Sequence, residues 1–305
     1  SPVTPWSQNY VRIPLSSPGA YEANDVTPAD LDGDGQYELV LKWQPANAKD
    51  NSQAGVTDNT LLEALELDGT SLWRLDLGRN IRSGAHYTQL SVYDFDGDGR
   101  AEVAVKTAPG TRDGTGAYLS TGPAASDDDG ADYRNGDGYV LSGPEYITVF
   151  DGRTGAELAT VSHPVPRGNV GSWGDTYGNR VDRFNAGVAM VTDGGSASGR
   201  PSIIRQRGYY TRLTVSALHW RDGELSTNWI FDSNNAGNGA AAGQGDHSAM
   251  AADMDGDGAQ EINTGATTIG SDGTFRCTTG RGHGDAQHVG ELIPGRGITV
   301  FTVYE

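Results

Sequence analysis

Residues 30–38 read DLDGDGQYE, residues 94–102 read DFDGDGRAE and residues 253–261 read DMDGDGAQE, so one nine-residue pattern, D-x-D-G-D-G-x-x-E, recurs three times in 305 residues. The first loop offers Asp30, Asp32, Asp34 and Glu38, the second Asp94, Asp96, Asp98 and Glu102, the third Asp253, Asp255, Asp257 and Glu261. A hard cation such as Ca²⁺ takes about six to eight oxygen ligands, and alternate side chains of a tight loop converge on one point. The glycines at positions four and six let the backbone turn back on itself, and a main-chain carbonyl near position seven can complete the shell. An EF-hand would need a bidentate Glu at position twelve, where this chain has Leu41, Val105 and Thr264. The expected cofactor is therefore calcium, several ions of it, held by loops of another kind.

Short apolar segments follow these loops, Leu39–Leu41, Val103–Val105 and Ile262, so each loop is expected to join two strands. A weaker repeat runs through Val181–Phe184, the turn at Asp193-Gly194-Gly195 and Ser202–Ile204, as though its acidic loop had degenerated. Further turn signals at Asp68-Gly69, Asp151-Gly152, Asp222-Gly223 and Asp272-Gly273 separate strand-like runs such as Tyr146–Phe150 and Glu157–Val161. Recurrence of hairpins at intervals of ~40 to 70 residues predicts an all-β chain, a β-propeller with calcium-binding loops, about four to five blades of it here. Residues 109–143, with Asp127-Asp128-Asp129, form an insertion expected on the binding face or as a further calcium-tethered excursion.

Composition agrees with many short strands and turns: 36% apolar residues, 44 glycines and 13 prolines. The formal charge of −18, from 40 acidic against 22 basic residues, opposes binding to nucleic acid or an anionic membrane. No stretch approaches the roughly 18 apolar residues of a membrane span. The single cysteine, Cys277, cannot form an internal disulfide and reads as a small residue at a strand end. The chain starts with Ser1, Pro2 and Thr4, as a processed or excised piece would, and export is the expectation.

The polar residues outside the repeats cluster around histidine. In Gly282–His288, His283 and His288 flank an acidic turn at Asp285, and Gly245-Asp246-His247 precedes the third acidic loop. An imidazole so placed can move a proton or complete a metal shell. Arg205–Arg212 combines cations with Tyr209 and Tyr210, a set suited to an anionic sugar, and His86 and Lys106 are further candidates. Each has a plainer reading, a hydrogen-bonded histidine or a lysine lying over a strand face. Of the tryptophans at 6, 43, 73, 173, 220 and 229, all read as core except Trp173, whose glycine-rich surroundings suit a sugar platform. No Gly-x-Ser-x-Gly elbow, phosphate loop or paired-cysteine motif is present.

Taken together, these segments resemble polysaccharide lyase family 11, the rhamnogalacturonan lyases. The likeness runs through Trp43 with Asn47 and Asp50–Ser52, Asp68–Thr70, Leu77–Arg82, Gly84–Thr88, the second acidic loop into Lys106-Thr107, Arg207–Arg212, Gly245–His247 and His283–His288. The resemblance implies an eight-bladed propeller with several calcium ions. It implies secretion, a monomer when full length, and cleavage of rhamnogalacturonan I, an acidic plant cell-wall polysaccharide, by β-elimination at galacturonate. It carries His247 and His283 over as base or acid, with His288 in reserve, and Asn47, Asp58 and Arg205 as substrate contacts. Asp285 then orients an imidazole or holds calcium. It also implies that residues 1–305 are part of a propeller domain, with a β-rich segment before them and further blades after Glu305. The competing expectation is a non-catalytic, calcium-stabilised propeller that binds glycans or proteins.

Overall fold

The computed structural model describes residues 9–304; Ser1, Pro2, Thr4 and Trp6 lie outside them. Every long element is a strand. β1 (Tyr21–Ala29), β2 (Glu38–Pro45), β3 (Leu61–Leu65) and β4 (Ser71–Asp76) form one four-stranded sheet in that order. β5 (Leu90–Tyr93), β6 (Glu102–Thr107), β7 (Tyr146–Phe150) and β8 (Glu157–Ser162) form the second. In the third, β9 (Phe184–Ala189) is followed by a small hairpin of β10 (Thr192–Asp193) and β11 (Ser196–Ala197). The chain then continues through β12 (Ser202–Arg207), β13 (Thr214–Arg221) and β14 (Glu224–Asp232). The fourth comprises β15 (Met250–Ala252), β16 (Glu261–Thr264), β17 (Thr267–Ile269) and β18 (Phe275–Thr278), and β19 (Gly284–Gly290) pairs with β20 (Thr299–Tyr304). All named pairings are antiparallel.

The first four sheets stack face to face in chain order, which explains why their central strands are buried almost without interruption. Side chains alternate across a strand. Thus Val103 and Val105 of β6 join Val40, Leu62 and Leu75 of the first sheet, whereas Ala104 joins Ile203 and Leu218 of the third. Ile204, Val215 and Phe231 then pack on Ile262 and Ile269 of the fourth. Fully burying each such side chain contributes about 1.5–3 kcal/mol.

Meander connectivity sorts the connections onto two ends. The three acidic loops and the β3–β4, β7–β8, β13–β14 and β17–β18 turns lie at one end; the β2–β3, β4–β5, β6–β7, β8–β9, β12–β13, β14–β15 and β18–β19 connections lie at the other. The turns at Asp68, Asp151, Asp222 and Asp272 are hairpins as expected. The region of Asp193–Gly195 is the β10–β11 hairpin, in the place of an acidic loop.

The 109–143 insertion connects β6 to β7 through two turns of the same build, RDGTGAYL (112–119) and RNGDGYVL (134–141). In the first, Asp113 Oδ1 accepts from the amides of Thr115 and Ala117; in the second, Asn135 Oδ1 accepts from those of Asp137 and Tyr139. The insertion is tied down where the Gly55 amide donates to the Asp137 carbonyl (2.7 Å) and Asn80 Nδ2 to those of Pro109 and Ala131 (2.8 and 3.0 Å).

Charge is buried under the same end. Glu145 meets Lys106 Nζ at 3.2 Å and the guanidinium groups of Arg167 and Arg207 at 2.9 Å each, and Arg207 also meets Asp182 at 3.1 Å. Lys106 is therefore neither exposed over a strand face nor available to a substrate. Burial alone would raise the Glu145 carboxyl, but Arg207, Lys106 and Arg167 outweigh it and hold it well below its ordinary range. Trp173, expected as a sugar platform, is instead 1% exposed and donates from Nε1 to the Arg167 carbonyl, packed with Val165 and Val181. Its glycines serve the turn and leave the indole covered.

Removing one partner of a buried ion cluster strands the others in low dielectric and costs about 3–5 kcal/mol. Glu145→Gln should destabilise the protein by about that much, read as a lower urea midpoint at unchanged slope. A shift under about 1 kcal/mol would show that the three cations find other compensation.

Candidate active site

At the end of the sheets opposite the acidic loops, three connections bring His86, His247 and His283 together around two tyrosines. His86 comes from the β4–β5 connection, Tyr209 and Tyr210 from β12–β13, His247 from β14–β15, and His283 from the turn into β19. Two glycines permit the close approach. Gly208 has φ of +71°, and a Cβ there would meet the Arg212 carbonyl at 2.5 Å and the Trp173 ring at 2.8 Å. A Cβ on Gly245 would meet Tyr209 Cβ at 2.5 Å. The loop carrying His247 can thus lie directly on the one carrying Tyr209.

The His247 and His283 ring centres are 5.0 Å apart, and His86 and His247 are 5.2 Å apart. Tyr209, fully buried, stacks on His283 at 5.4 Å and places its hydroxyl 3.1 Å from His247 Nδ1 and 3.5 Å from His86 Nδ1. The Tyr210 hydroxyl is 3.3 Å from His247 Nε2. Asp285, exposed at the start of β19, lies 3.6 Å from His247 Nε2 and 3.9 Å from His283 Nε2. His283 Nδ1 is 2.8 Å from the Gly245 carbonyl oxygen, and its Nε2 is buried with no hydrogen-bond partner.

Positive charge borders the cluster. Arg183, buried and anchored on Asn179, lies over the Tyr210 ring, 5.1 Å from its centre, and 3.6 Å from Asp50; Arg180 approaches the same ring. Burial opposes the Arg183 charge, but a hydrogen bond to Tyr209 and the fields of Tyr209, Tyr210 and Asp50 hold the guanidinium above its usual range. Asp50 reaches His86 at 3.7 Å. Burial raises the Asp50 carboxyl, yet the hydroxyl and amide of Ser52, with Arg183 and His86, leave it below its ordinary value. The His86 imidazole is pushed down to about 4 by burial, Arg183 and His247, with Asp50 opposing. His86 is neutral near pH 7.

Of the residues singled out from sequence, His247, His283 and Asp285 meet here, and His86 joins them. His288 does not: it is exposed on β19 beside Leu292, Ile293 and Phe301. Asn47 and Asp58 meet each other, the Asp58 amide donating to Asn47 Oδ1 at 2.9 Å, in the exposed β2–β3 connection at this end. Arg205 is displaced from the expected role. It is buried between the second and third sheets, donating to the carbonyls of Gln89 (2.7 Å) and Ala104, and burial pushes it down to about 9. Arg207 belongs to the Glu145 cluster. The cations that do border the site, Arg180 and Arg183, carry no local signal in sequence, because the β8–β9 connection that holds them is irregular.

The acidic loops share one frame. The first Asp accepts from the amides of both glycines, as Asp94 does from Gly97 (2.7 Å) and Gly99 (2.9 Å), and the Glu accepts from the residue after the first Asp. The Glu bonds measure 2.7 Å at Leu31, 2.9 Å at Phe95 and 2.8 Å at Met254. Ligand oxygens lie within 4.8 Å of one another for Asp94, Asp96, Asp98 and Glu102, for Asp30, Asp32 and Glu38, and for Asp253, Asp255 and Glu261. In all three loops the third Asp accepts from the amide two residues on, Asp34 from Gln36, Asp98 from Arg100 and Asp257 from Ala259, at 2.8 Å each. Glu261 Oε1 is buried without a hydrogen-bond partner, and all-oxygen donors with an orphaned carboxylate fit a hard cation.

The pattern of rhamnogalacturonan lyase family 11, C-terminal domain, matches residues 12–305. The chain is 54% identical over 311 residues to rhamnogalacturonan endolyase YesW of Bacillus subtilis (strain 168), covering 98% of this chain and 48% of that protein. It is 52% identical over 311 residues to rhamnogalacturonan exolyase YesX of the same organism, covering 98% and 49%. A solved structure of rhamnogalacturonan lyase YesW superposes with a TM-score of 0.92 at 54% identity, covering 98% of this chain and 51% of that one. The chain spans about half the length of the curated relatives it matches.

The Glu102 carboxyl is pushed up to about 8 by burial, against the Phe95 amide and with the fields of Asp96, Asp94 and Asp98. Without a cation, the folded protein holds a proton on Glu102 that the unfolded chain releases above its ordinary value of 4.5. That contribution to stability is present at low pH and is lost as pH rises to about 8. Urea unfolding in chelator should therefore show stability falling across this window, by on the order of a few kcal/mol. Added Ca²⁺ should remove the fall, and Glu102→Gln should flatten it. An identical pH profile for Glu102→Gln would contradict the assignment.

Proposed function

Since the chain belongs to rhamnogalacturonan lyase family 11, matching its C-terminal domain over residues 12–305, we propose that it is part of a secreted, monomeric enzyme that cleaves rhamnogalacturonan I by β-elimination at galacturonate. The observation that carries this reading is the convergence of His247, His283 and Asp285 within 4.8 Å, with His283 Nε2 unpartnered, at the open end of the stacked sheets.

β-Elimination needs three things: relief of the negative charge on the uronate carboxylate, a base for the C5 proton, and departure of the C4 oxygen. Arg180 and Arg183 bring positive charge to the Tyr210 side of the cluster. A neutral imidazole suits proton abstraction near pH 7, and the neighbouring tyrosine hydroxyls can donate hydrogen bonds to charge that develops on oxygen. Asn47 and Asp58 lie on the same end and would contact a polymer running across it. Calcium held by the three acidic loops would neutralise their carboxylates, and a cation at Asp285 would polarise a bound uronate. The two nitrogens beside Asp285 suit acid–base work better than they suit a hard cation. The stacked four-stranded sheets, which bury both faces, are read as successive blades of a propeller completed by the rest of the protein.

Incubating the whole protein with rhamnogalacturonan I and calcium should raise the near-ultraviolet absorbance of the unsaturated uronide product. His283→Ala should lower kcat by about 10²–10⁴-fold. New reducing ends without that absorbance would mean hydrolysis and overturn the proposal.

A further inference from the structure

Trp173, the sugar platform expected from sequence, is buried, and an exposed aromatic ring stands four residues further along the same connection. We propose that Tyr177, held by Asn179, is a binding subsite for a neutral pyranose unit of the polymer, adjoining the uronate whose carboxylate meets Arg180 and Arg183; this rests on the substrate reading above.

Tyr177 is 43% exposed in the β8–β9 connection, at the same end as the histidines. A single exposed aromatic is ordinary, but this one stands on a turn with no slack. Asp175 Oδ1 accepts from the amides of Tyr177 (3.1 Å), Gly178 (2.8 Å) and Asn179 (3.1 Å), and Oδ2 from that of Arg180 (2.8 Å). Gly178 has φ of +97°, and a Cβ there would meet Leu141 Cδ2 at 2.7 Å, so the turn rests directly on the 109–143 insertion. From that insertion the Tyr139 ring meets Tyr177 edge to face, with centres 5.9 Å apart and planes at 74°. A ring fixed before the ligand arrives loses little freedom on binding. Tyrosine also joins an apolar face, suited to the C–H groups of a sugar ring, to a polar tip.

The partners of that tip have fixed roles. A guanidinium can only donate, and Arg183 sends Nε and Nη2 to Asn179 Oδ1 at 3.2 and 2.7 Å. The Asn179 amide nitrogen therefore faces the Tyr177 hydroxyl, donating to its oxygen at 3.1 Å. Among the described residues none accepts the hydroxyl hydrogen, which is left for a sugar oxygen. The same asparagine thus holds both the exposed ring and the cation that lies 5.1 Å from the Tyr210 ring centre. Tyr210, Arg183, Asn179 and Tyr177 form one continuous line of contacts leading away from the imidazoles. Charge decides which kind of sugar fits the outer end of this line. Asp175 within the turn and Asp137 two residues before Tyr139 bring negative charge there, which disfavours a second uronate and leaves a neutral ring.

Calorimetric titration of the whole, calcium-loaded protein with rhamnogalacturonan I oligosaccharides, in a His283→Ala background to prevent turnover, reads the subsite without catalysis. Tyr177→Ala should weaken binding about tenfold, and Tyr177→Phe, which keeps the ring and loses the donor, about twofold to fivefold. Oligosaccharides of galacturonate alone should bind Tyr177→Ala and its parent equally. With His283 intact, Tyr177→Ala should raise KM about tenfold and change kcat less than about twofold. Binding of rhamnogalacturonan I by Tyr177→Ala within about twofold of its parent overturns the proposal, as does an equal loss for the galacturonate oligosaccharides or a loss confined to kcat. Should Tyr177→Ala fail to fold, Tyr177→Phe binding as tightly as its parent overturns it. Tyr177-dependent binding by a protein that yields no unsaturated product would sink the lyase reading and leave the subsite standing.

Discussion

An antiparallel meander returns the chain to the same end at every second connection, and this constraint organises the rest of the molecule. Strands of three to nine residues separate the two ends, so a loop between β1 and β2 and a loop between β2 and β3 cannot serve the same site. The nine-residue acidic turns occupy one end. The imidazoles occupy the other. The histidine of Gly245-Asp246-His247 is close in sequence to the third acidic loop, yet β15 lies between them. A cation bound in that loop would act on the site only through the strand it pins.

That transmission depends on rigidity, and rigidity comes from burial on both faces. β6, β7, β12 and β13 have apolar side chains on each side, and several of the polar groups among them bind across strands or sheets. Thr148 on β7 sits between the hydroxyls of Thr107 and Thr160, at 2.7 and 2.9 Å. Arg205 ties β12 to carbonyls of the second sheet. Beneath the site, Glu145 and Asp182 balance three buried cations, and Arg207, the last residue of β12, lies in this cluster two residues before Tyr209. Packing, not the loops at the open end, therefore sets where the tyrosine ring stands.

Much of this was legible in sequence because it follows from local rules. The acidic loops, the four Asp-Gly hairpins and the degenerate turn at Asp193 are each written in residues that touch one another along the chain. His247, His283 and Asp285 were visible as polar residues that no strand period explains. What sequence could not show was partnership at a distance. The cations of Arg205–Arg212 read as a sugar-binding patch, but alternation along β12 places Arg205 and Arg207 on the same face as Ile203, turned into the interior toward the second sheet. Trp173 was misread for a similar reason: glycines beside an aromatic suggest exposure, whereas here they let the chain fold back over the indole. Arg183 and Asp50, which border the histidines, lie 133 residues apart in sequence and meet only because the β2–β3 and β8–β9 connections share an end.

The same logic explains why three histidines so close together have unequal surroundings. Each ring shares contacts with Tyr209, but each meets a different group on its other side: Asp50 for His86, Asp285 for His247, the Gly245 carbonyl for His283. Three positive imidazoles with centres about 5 Å apart would repel strongly in a partly buried site. His86, pushed down to about 4 by burial, Arg183 and His247, is neutral near pH 7. The groups fixed behind these rings, a carboxylate for two of them and a backbone carbonyl for the third, make their surroundings unequal.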